Sequence, residues 1–333
     1  MQPVEVASTY VGPFASLTTR AAGIVALGRA LPVVVVDNAP IAARAGVEPE
    51  WITRRTGIHR RRRIPDDQSL SDLAAEAGLR ALAGAGVHPL AVDVVLVATS
   101  SADDIVPQAA PIVAGVLGAD RAMSWDVGLG CVGFLAGLQR GAALIESGRA
   151  GTVLLIGADI VSRYTDRDDR QTAALFGDGA AAAVLAAGGA GCVGPILLGS
   201  EAQRDVLFIG HDERVVRMAG SVFYRHAIDR MEEVCRELLD RADLAVDDIA
   251  LVVAHQANGR IISALGERFG LAPERVAHYV GELGNTSAAS IPLALSLAED
   301  EGRLPTDGHV VLTSFGGGLC WGAGLLTYRD SEA

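Results

Sequence analysis

The sequence predicts a layered α/β protein in which helices pack against mixed β-sheets. Short uncharged runs rich in valine, leucine and alanine alternate with segments whose apolar residues recur every three or four positions. These are the patterns of buried strands and amphipathic helices. The same order of elements occurs in both halves of the chain, and such alternation favours helices on the faces of a sheet. We place the boundary at the glycine-rich stretch 188–194, between an N-terminal half (1–190) and a C-terminal half (191–333).

The N-terminal half opens with a polar, irregular stretch, residues 1–20, which we interpret as an extension of the fold. It has no basic residue before Arg20, so it does not resemble a secretory signal. A helix at 69–85 has Ser69 or Ser71 as its cap. The other predicted elements are strands at 22–27, 92–98, 124–127 and 152–158, and helices at 40–45, 48–51 and 107–117.

The uncharged run 179–200 is long enough to suggest a membrane helix. Its glycines and Pro195 instead indicate buried strands joined by turns, so we predict no membrane segment. The C-terminal half then repeats the alternation. Its predicted elements are a helix at 222–242, a strand at 249–254, helices from about Asn258 and from near Asn285, and strands at 310–315 and 325–328.

Composition excludes several classes of function. The formal net charge of −12 argues against binding to nucleic acid, which requires a positive field. All 28 basic residues are arginine, so no amine is present for Schiff-base or pyridoxal chemistry or for a Walker-type phosphate loop. The cysteines at 131, 192, 235 and 320 show neither metal-ligand spacing nor a disulfide framework. We therefore expect a protein of the reducing cytoplasm without a metal site.

The stretch 124–134 contains the strongest candidate for a reactive group. A predicted strand ends at Val127, and Gly128-Leu129-Gly130-Cys131 leads directly into a helical pattern. This arrangement places Cys131 at the N-terminus of a helix, where free N–H groups and the helix dipole face its sulfur. A thiol in that position is expected to ionise more easily, and the thiolate is the reactive form. We interpret Cys131 as a nucleophile.

Two other interpretations of this stretch remain open on the residues alone. Residues 128–133 match the G-x-G-x-x-G pattern of a dinucleotide site, with Asp159 after the next strand. However, a cysteine stands where the backbone should approach a pyrophosphate, and a lone match is weak. The nucleophile elbow of α/β-hydrolases normally has a small residue two positions before the nucleophile, where Leu129 stands here.

Three further motifs have both structural and catalytic interpretations. His255 follows a predicted strand and Asn285 precedes small residues; alone, each is more typical of a structural group or a helix cap. Asp178, in Phe176-Gly177-Asp178-Gly179, is interpreted as turn chemistry. The run Arg60-Arg61-Arg62-Arg63 is interpreted as a solvated loop, with phosphate binding as the alternative.

Taken together, these motifs resemble the β-ketoacyl-acyl-carrier-protein synthase III family of the thiolase superfamily. The resemblance extends from about Ala22 to Tyr328 and preserves the order of the motifs. The motifs are Trp51…Arg55-Thr56-Gly57, Asp126…Cys131-Val132-Gly133-Phe134, Phe176-Gly177-Asp178-Gly179, Met218-Ala219-Gly220, His255-Gln256-Ala257-Asn258, Gly284-Asn285-Thr286-Ser287-Ala288-Ala289-Ser290 and Phe315-Gly316-Gly317-Gly318…Trp321-Gly322.

The resemblance implies a five-layered αβαβα fold of two similar halves, a homodimer and a decarboxylative Claisen condensation. Cys131 would take an acyl group from acyl-CoA, and the backbone N–H groups of Cys131 and Gly317 would form an oxyanion hole. His255 and Asn285 would then hold the thioester oxygen of a malonyl group on acyl carrier protein during decarboxylation. Coenzyme A enters as a substrate thioester, and no resident cofactor is implied. Thiolases use a second cysteine as base, but we interpret Cys320 as a packing residue.

The family's binding residues transfer to this chain by position. The resemblance implies a coenzyme A channel lined by Trp51, Arg55, Arg170 and Asn258. It implies a carrier-protein patch of Arg225, Arg260 and Arg268. It implies an acyl pocket lined by Phe176 and Met218 and by Val106 of the partner subunit.

Departures from the family pattern bear on the substrate. Relatives that use acetyl primers carry an aromatic residue where Val106 stands, so we predict a longer, branched or bulky acyl group and a role in specialised metabolism. The shortened segment 199–217 supports the same prediction. The alternative function is an acyltransferase on this scaffold that moves the acyl group to an oxygen, nitrogen or sulfur acceptor without decarboxylation. A catalytically inactive subunit is disfavoured, because Cys131, His255 and Asn285 are all present.

Overall fold

The computed structural model of the protein describes residues 21–329. The predicted extension, residues 1–20, lies outside this range. The elements in chain order are β1 (Ala22–Ala30), β2 (Val34–Asp37), α1 (Asn38–Ala45), α2 (Pro49–Thr56), β3 (Arg60–Arg63), α3 (Leu70–Ala85), β4 (Val94–Ala98), α4 (Ala109–Leu117), β5 (Met123–Val127), α5 (Gly133–Glu146), β6 (Thr152–Ile160), β7 (Asp178–Ala187), β8 (Gly191–Ser200), β9 (Leu207–Ile209), β10 (Val216–Met218), α6 (Gly220–Ala242), β11 (Ile249–Ala254), α7 (Gly259–Phe269), α8 (Val280–Leu283), α9 (Ser290–Asp300), β12 (Gly308–Gly316) and β13 (Cys320–Tyr328).

The main sheet has nine strands in the order β11-β12-β13-β8-β1-β7-β6-β4-β5. It is mixed: β5, β4 and β6 run parallel, as do β11 and β12, while β7, β1, β8 and β13 join by antiparallel pairing. The contact between β1 and β8 is limited to the pairs Gly23–Cys192 and Ile24–Gly191. The sheet therefore divides into two parts at this short pairing.

Alternate residues of each strand face different helices, and this creates five layers. Leu96 and Leu155 point toward the central helices α5 and α9, in the same cluster as Leu312 of the other part of the sheet. Val97 and Leu154 point the opposite way and pack against α3 and α4. The outer face of the second part is covered by α6 and α7. The αβαβα prediction is confirmed, because strands buried on both faces require helices on each side.

Several helix ends are fixed by the groups that the sequence places there. Ser69 accepts a hydrogen bond from the Asp72 backbone N–H at 3.0 Å, and the Asp72 carboxylate accepts one from the Ser69 backbone, which completes a capping box for α3. The Asp126 carboxylate accepts hydrogen bonds from the backbone N–H groups of Ala109 and Ala110, the first residues of α4. Asp126 thereby ties β5, which leads to Cys131, to the neighbouring helix.

The interpretation of residues 60–63 as a solvated loop is wrong. They form β3, which pairs antiparallel with β2. Arg61 is only 3% exposed, and its guanidinium donates to the Ala174 carbonyl oxygen at 2.7 Å and to the Asn38 side-chain oxygen at 2.8 Å. Burial lowers the pKa of Arg61 to about 10. The sequence pattern missed this role because a charge run carries no sign of which member is buried.

Asp178 has the structural role that its turn chemistry predicts. Its carboxylate accepts hydrogen bonds from the backbone N–H groups of Ile64 and Ser162 and from the Ser162 hydroxyl. Three donors on one buried carboxylate hold β7 against the ends of β3 and β6.

The run 179–200 forms β7 and β8, joined by a turn at Gly188, and no helix within residues 21–329 is long and apolar enough to cross a membrane. The division into halves at 190 stays a prediction.

Candidate active site

Cys131 lies at the junction of the first part of the sheet with the central layer. After β5 the chain turns through Leu129 and Gly130, which have positive φ angles of 78° and 51°, into a 3-10 turn at Gly130–Val132. Helix α5 follows at once, with no side chain capping its N-terminus. Gly133 starts the helix so close to β5 that a Cβ there would lie 2.9 Å from the Gly128 carbonyl oxygen. The glycines of the G-x-G-x-x-G pattern therefore serve the turn and the packing of the helix.

Strand β12 of the C-terminal half holds Cys131 from the other side. The Ser314 hydroxyl of β12 donates to the Cys131 carbonyl oxygen at 2.8 Å. A Cβ on Gly316 would lie 3.1 Å from Cys131 Cβ and 3.5 Å from its Sγ. The end of β12 thus approaches the nucleophile as closely as a glycine permits. Gly317, one residue further on, lines the same cavity as Cys131.

The ionisation state of Cys131 differs from the sequence-based expectation. Burial raises the pKa of the thiol to about 12, against a smaller opposing effect of the hydrogen bond with Ser287, whose Oγ lies 3.6 Å from Sγ. Withdrawal of the sulfur from water disfavours the charged thiolate. Cys131 is a thiol at rest, and the proton must leave as the reaction begins.

His255 lies at the end of β11 with its ring buried. Its backbone N–H donates to the Thr313 carbonyl oxygen at 2.7 Å, which extends the pairing of β11 with β12. The residue is 2% exposed, and neither ring nitrogen has a hydrogen-bond partner among the described residues. Burial lowers the pKa of His255 to about 3, so the imidazole is neutral at physiological pH. A neutral ring offers one N–H donor to a bound molecule.

Asn285 is fixed by the loop that precedes α9. Its backbone N–H donates to the Leu175 carbonyl oxygen, and its side-chain oxygen accepts the Ser287 backbone N–H; both distances are 2.9 Å. The amide NH₂ group is left as the donor on that side chain. The helix predicted near Asn285 begins at Ser290, after a 3-10 turn at Ser287–Ala289. Asn285 is therefore not a cap of α9.

Two adjoining cavities open at Cys131. The larger has a volume of about 400 Å³ and a mostly apolar lining. Its lining residues are Ser100, Ser101, Leu129, Gly130, Cys131, Val161, Tyr164, Phe176, Leu207, Phe208, Ile209, Val216, Ser287 and Gly317. The smaller extends from Cys131 past Phe176, Met218 and Asn285 to Asn258. Cys131, Phe176 and Asn285 are thus brought to one place, with the nucleophile between an apolar pocket and a route to the surface.

Comparison with known proteins identifies the family. Residues 125–205 match the model of 3-oxoacyl-[acyl-carrier-protein] synthase III, and residues 239–328 match the model of its C-terminal region. The chain is 42% identical over 316 residues to the β-ketoacyl-[acyl-carrier-protein] synthase III of Granulibacter bethesdensis, which covers 91% of this chain and 98% of that protein. The chain belongs to the synthase III family. The dinucleotide-site and hydrolase interpretations are therefore set aside.

Solved structures of synthase III proteins share the fold. The enzyme of Pseudomonas aeruginosa aligns with a TM-score of 0.89 at 40% identity, covering 93% of this chain and 99% of the other. A priming β-ketosynthase of a polyketide biosynthetic pathway aligns with a TM-score of 0.91 at 31% identity, covering 96% and 99%. The β-ketoacyl-[acyl-carrier-protein] synthase III 3 of Streptomyces coelicolor is 41% identical and covers 93% of this chain and 98% of that one. The chain is thus a condensing transferase of the synthase III class.

Of the four residues assigned to coenzyme A, Asn258 lines the smaller cavity, and Arg55 and Trp51 lie beside it although they are distant from it in the sequence. The Arg55 guanidinium lies 5.6 Å from the centre of the Trp51 ring, and the Asn258 side-chain amide donates to the Arg55 carbonyl oxygen at 3.2 Å. Arg170 is exposed on the segment between β6 and β7, and no hydrogen bond within residues 21–329 ties it to the other three. The assignment of all four residues to coenzyme A stays a prediction.

The three arginines of the predicted carrier-protein patch differ in how they are paired. Arg268 forms ion pairs with Asp229 at 2.8 Å and Glu232 at 2.7 Å. Arg260 borders a surface hollow between α2 and α7, and its guanidinium lies over the Tyr224 ring. Neither Arg225 nor Arg260 forms an ion pair with a described residue. Of the three, only Arg268 therefore has its charge paired by neighbouring carboxylates, and the patch stays a prediction.

Val106 lines neither of the two cavities at Cys131. It is 83% exposed, beside Ile105 at 78%, on the loop that precedes α4. Ser287, Ser314 and Asp159 contact or surround the nucleophile, a role that the sequence did not predict. Ser287 was noted only within a family motif, and Asp159 only as the acidic residue of the dinucleotide pattern. Their places in the sequence gave no signal, since Ser287 lies 156 residues from Cys131 and the pairing exists only in the fold.

Proposed function

We propose that this chain condenses an acyl group from acyl-CoA with a malonyl group on acyl carrier protein, with loss of CO₂. The observation that carries the proposal is the convergence at one cavity mouth of the Cys131 thiol and the Asn285 amide. The neutral imidazole of His255, at the adjacent strand end, has both nitrogens free of partners among the described residues. Nucleophile and neutral donors are the groups that a decarboxylating ketosynthase needs.

In the first half-reaction, the Cys131 sulfur attacks the thioester carbonyl of acyl-CoA. The backbone N–H groups of Cys131 and Gly317 form the oxyanion hole for the tetrahedral intermediate, which collapses with departure of coenzyme A. Glycine at 317 allows the backbone to lie close to its neighbours, because a Cβ there would lie 3.0 Å from the Leu207 carbonyl oxygen. The backbone N–H of Gly317 can therefore approach the reacting carbonyl. The acyl chain occupies the apolar cavity of about 400 Å³.

In the second half-reaction, His255 and Asn285 donate hydrogen bonds to the thioester oxygen of the malonyl group. Departure of CO₂ places negative charge on that oxygen, and the resulting enolate attacks the acyl-Cys131 carbonyl. The carbon–sulfur bond to Cys131 then breaks, β-ketoacyl-acyl carrier protein leaves, and the Cys131 thiolate takes up a proton from solvent. Two neutral donors stabilise the enolate without attracting the malonate carboxylate away from the reacting position. The loss of one such donor typically costs about 10²–10³ in rate. The lowered pKa of His255 keeps it in the neutral form throughout.

Substrate entry follows the groups at the cavity mouth. Trp51 stacks on the adenine of coenzyme A, Arg55 and Arg170 contact its phosphates, and Asn258 lines the channel. Arg225 and Arg260 steer the acidic carrier protein, with a smaller contribution from Arg268. A local positive surface is required, because the chain as a whole carries a net charge of −12.

The functional unit in this proposal is a homodimer in the cytoplasm. Strand β5 lies at the edge of the main sheet with Met123 66% exposed, and Ile105 and Val106, on the loop before α4, are also exposed. An apolar sheet edge of this kind is suited to pairing with a second copy. Val106 would then enter the partner's acyl pocket, and its small side chain leaves room for a longer or branched acyl group.

The test follows carbon dioxide and product together. The native protein is incubated with a panel of acyl-CoAs and with malonyl-acyl carrier protein labelled in the free carboxyl group. The proposal predicts one equivalent of CO₂ for each β-ketoacyl-acyl carrier protein formed. Acyl transfer without release of CO₂ would instead identify the protein as an acyltransferase of the alternative kind.

A further inference from the structure

A small cavity outside the active site is bordered by three arginines. It has a volume of about 180 Å³ and lies between α1, β3 and the segment that joins β6 to β7. Ile41 and Ala173 belong to its apolar wall, and the basic residues that line it are Arg44, Arg63 and Arg167. It shares no lining residue with the two cavities at the nucleophile. The steps of the condensation leave this cavity unused.

Arg63 is the member of the arginine run that lines this cavity. Side chains two positions apart on a strand lie on the same face, so Arg61 and Arg63 of β3 point to the same side. Arg61 is hydrogen-bonded to Asn38 and Ala174. The half-buried side chain of Arg63, by contrast, has no hydrogen-bond or ion-pair partner among residues 21–329. Polar groups withdrawn from water are normally hydrogen-bonded, so this guanidinium lacks an acceptor.

Arg167 brings a second unpaired charge to the same cavity. It is exposed on the segment between β6 and β7, and no carboxylate in the described part of the chain pairs with it. Burial and the nearby charge of Arg167 lower the pKa of Arg63, and the charges of Asp178 and Asp66 oppose this effect only in part. An anion held between two guanidinium groups that repel each other would stabilise both.

Arg44 ties the third side of the cavity to the segment that carries Arg167. Its Nε lies 2.5 Å from one carboxylate oxygen of Asp168, and its Nη2 lies 3.1 Å from the other. The Asp168 backbone N–H in turn donates to the Asp166 side-chain oxygen at 3.0 Å. This ion pair connects α1 to the segment between β6 and β7, the two walls that face each other across the cavity.

We propose that this cavity binds a phosphate group through Arg63 and Arg167. A guanidinium donates two parallel hydrogen bonds to a phosphate, and a phosphate monoester presents three acceptor oxygens, which is enough for two arginines. A carboxylate has only two oxygens, which one guanidinium already satisfies. Sites for drug-sized ligands have volumes of roughly 300–1,000 Å³. A cavity of about 180 Å³ therefore accepts a small anion or one terminal group of a larger ligand.

Two sources can supply this phosphate group. One is coenzyme A, whose adenosine carries a 3′-phosphate. Ile41 borders the cavity and packs against the same apolar cluster as Trp51, the residue assigned to the adenine. The other source is free phosphate or a small phosphate ester. Neither source requires the condensation at Cys131, so this proposal goes beyond the proposed function and does not rest on it.

The experiment measures the binding of inorganic phosphate to the full chain by isothermal titration calorimetry, with chloride added to keep the ionic strength constant. The native protein should bind phosphate saturably. Arg63→Met and Arg167→Met each remove one guanidinium and keep an unbranched side chain. Each should weaken the binding about 10- to 100-fold, the effect of losing hydrogen bonds to a charged group.

Arg149→Met is the matched control. Arg149 is exposed between α5 and β6 and does not line the cavity, and its replacement changes the net charge by the same amount. Its phosphate binding should equal that of the native protein. Equal weakening in all three variants would mean that the overall charge attracts the anion, and would overturn the proposal.

Two other results would also overturn the proposal. They are the absence of saturable phosphate binding in the native protein, and unchanged binding in Arg63→Met and Arg167→Met. Circular dichroism shows whether the variants fold. If the half-buried Arg63 cannot be replaced without unfolding, Arg167→Met decides, because Arg167 is exposed.

Coenzyme A and 3′-dephospho-coenzyme A distinguish the two sources. If coenzyme A supplies the phosphate, the native protein binds it about 10- to 100-fold more tightly than the dephospho form, and Arg167→Met removes that difference. If a free phosphate fills the cavity, Arg167→Met leaves the relative affinity of the two coenzymes unchanged while it weakens phosphate binding. Both results support the site and identify its source. No turnover is measured, so failure of the condensation assay does not affect this result.

Discussion

The close approach of Gly316 to Cys131 makes Gly316→Ala an informative perturbation. The new methyl group would lie 3.1 Å from Cys131 Cβ and 3.5 Å from Sγ, so the cysteine must shift by a few tenths of an ångström. A misplacement of about 1 Å can cost 10² in rate, and we therefore expect acylation to slow about tenfold, or about 1.4 kcal/mol in the barrier. The packing cost is about 1–3 kcal/mol of folding stability.

Gly324→Ala is the matched control for packing in the same pair of strands. Its methyl group would lie 3.2 Å from Ile196 Cγ1, a side-chain contact remote from Cys131. Both variants should lose thermal stability, by about 2–4 °C for each kcal/mol. Acylation is measured by quenched-flow mass spectrometry at saturating acyl-CoA. Equal acylation rates in Gly316→Ala and the native protein would refute the claim that this contact sets the position of the sulfur.

Further predictions concern the donors, the pocket and the surface. His255→Ala should lower malonyl-dependent CO₂ release about 10²–10³-fold while acylation of Cys131 continues, measured as labelled CO₂ and by intact mass. In the unfolded chain the pKa of His255 is near its usual value of about 6.5, and in the folded protein it is about 3. Between these two pH values the unfolded state binds a proton that the native state does not. The free energy of unfolding therefore falls as the pH falls, by up to about 1.4 kcal/mol per pH unit. His255→Gln should therefore lose stability less steeply than the native protein between pH 6 and 5 in urea titrations. Val106→Phe should shift the preferred donor in an acyl-CoA panel from longer or branched groups toward acetyl. Arg260→Ala should raise the KM for malonyl-acyl carrier protein more than Arg268→Ala, whose charge is already paired.

Each of these has a contradicting result. If His255→Ala loses acylation of Cys131 and CO₂ release falls only to the same extent, His255 acts in acylation and not in decarboxylation. If the free energy of unfolding of His255→Gln and that of the native protein fall equally between pH 6 and 5, burial does not keep the imidazole neutral. If acetyl-CoA is already the preferred donor of the native protein, the pocket assignment of Val106 fails. Equal KM values for the two arginine variants would remove Arg260 from the docking surface.

Much of the fold followed from hydrophobic periodicity. The predicted strand at 249–254 and the helix at 69–85 agree with β11 and with α3, which begins one residue later. The short strands β2, β9 and β10 were missed, because three- or four-residue hairpin strands carry too few residues to show a period. The interpretation of residues 60–63 as a solvated loop failed because the burial of Arg61 depends on acceptors at Asn38 and Ala174. Both residues lie far from Arg61 in the sequence.

The sequence predicted which residues form the site better than it predicted their protonation states and contacts. Motif spacing located Cys131 and Asn285, which the fold brings to one cavity, and it located His255 at a strand end. It did not foresee the raised pKa of Cys131, because desolvation depends on the whole surrounding core rather than on the local helix. The contact of Ser287 with the sulfur was equally hidden, since it joins two distant loops.

The proposed condensation depends on formation of a covalent acyl-enzyme at one sulfur. The most direct measurement is the intact mass of the protein after incubation with acyl-CoA, followed by peptide mapping, for the native chain and for Cys131→Ala. We predict one acyl group per chain, located on Cys131, and none on the variant, with Cys192→Ala labelled as the native protein is. An acyl group on another residue, or equal labelling of Cys131→Ala, would contradict the account.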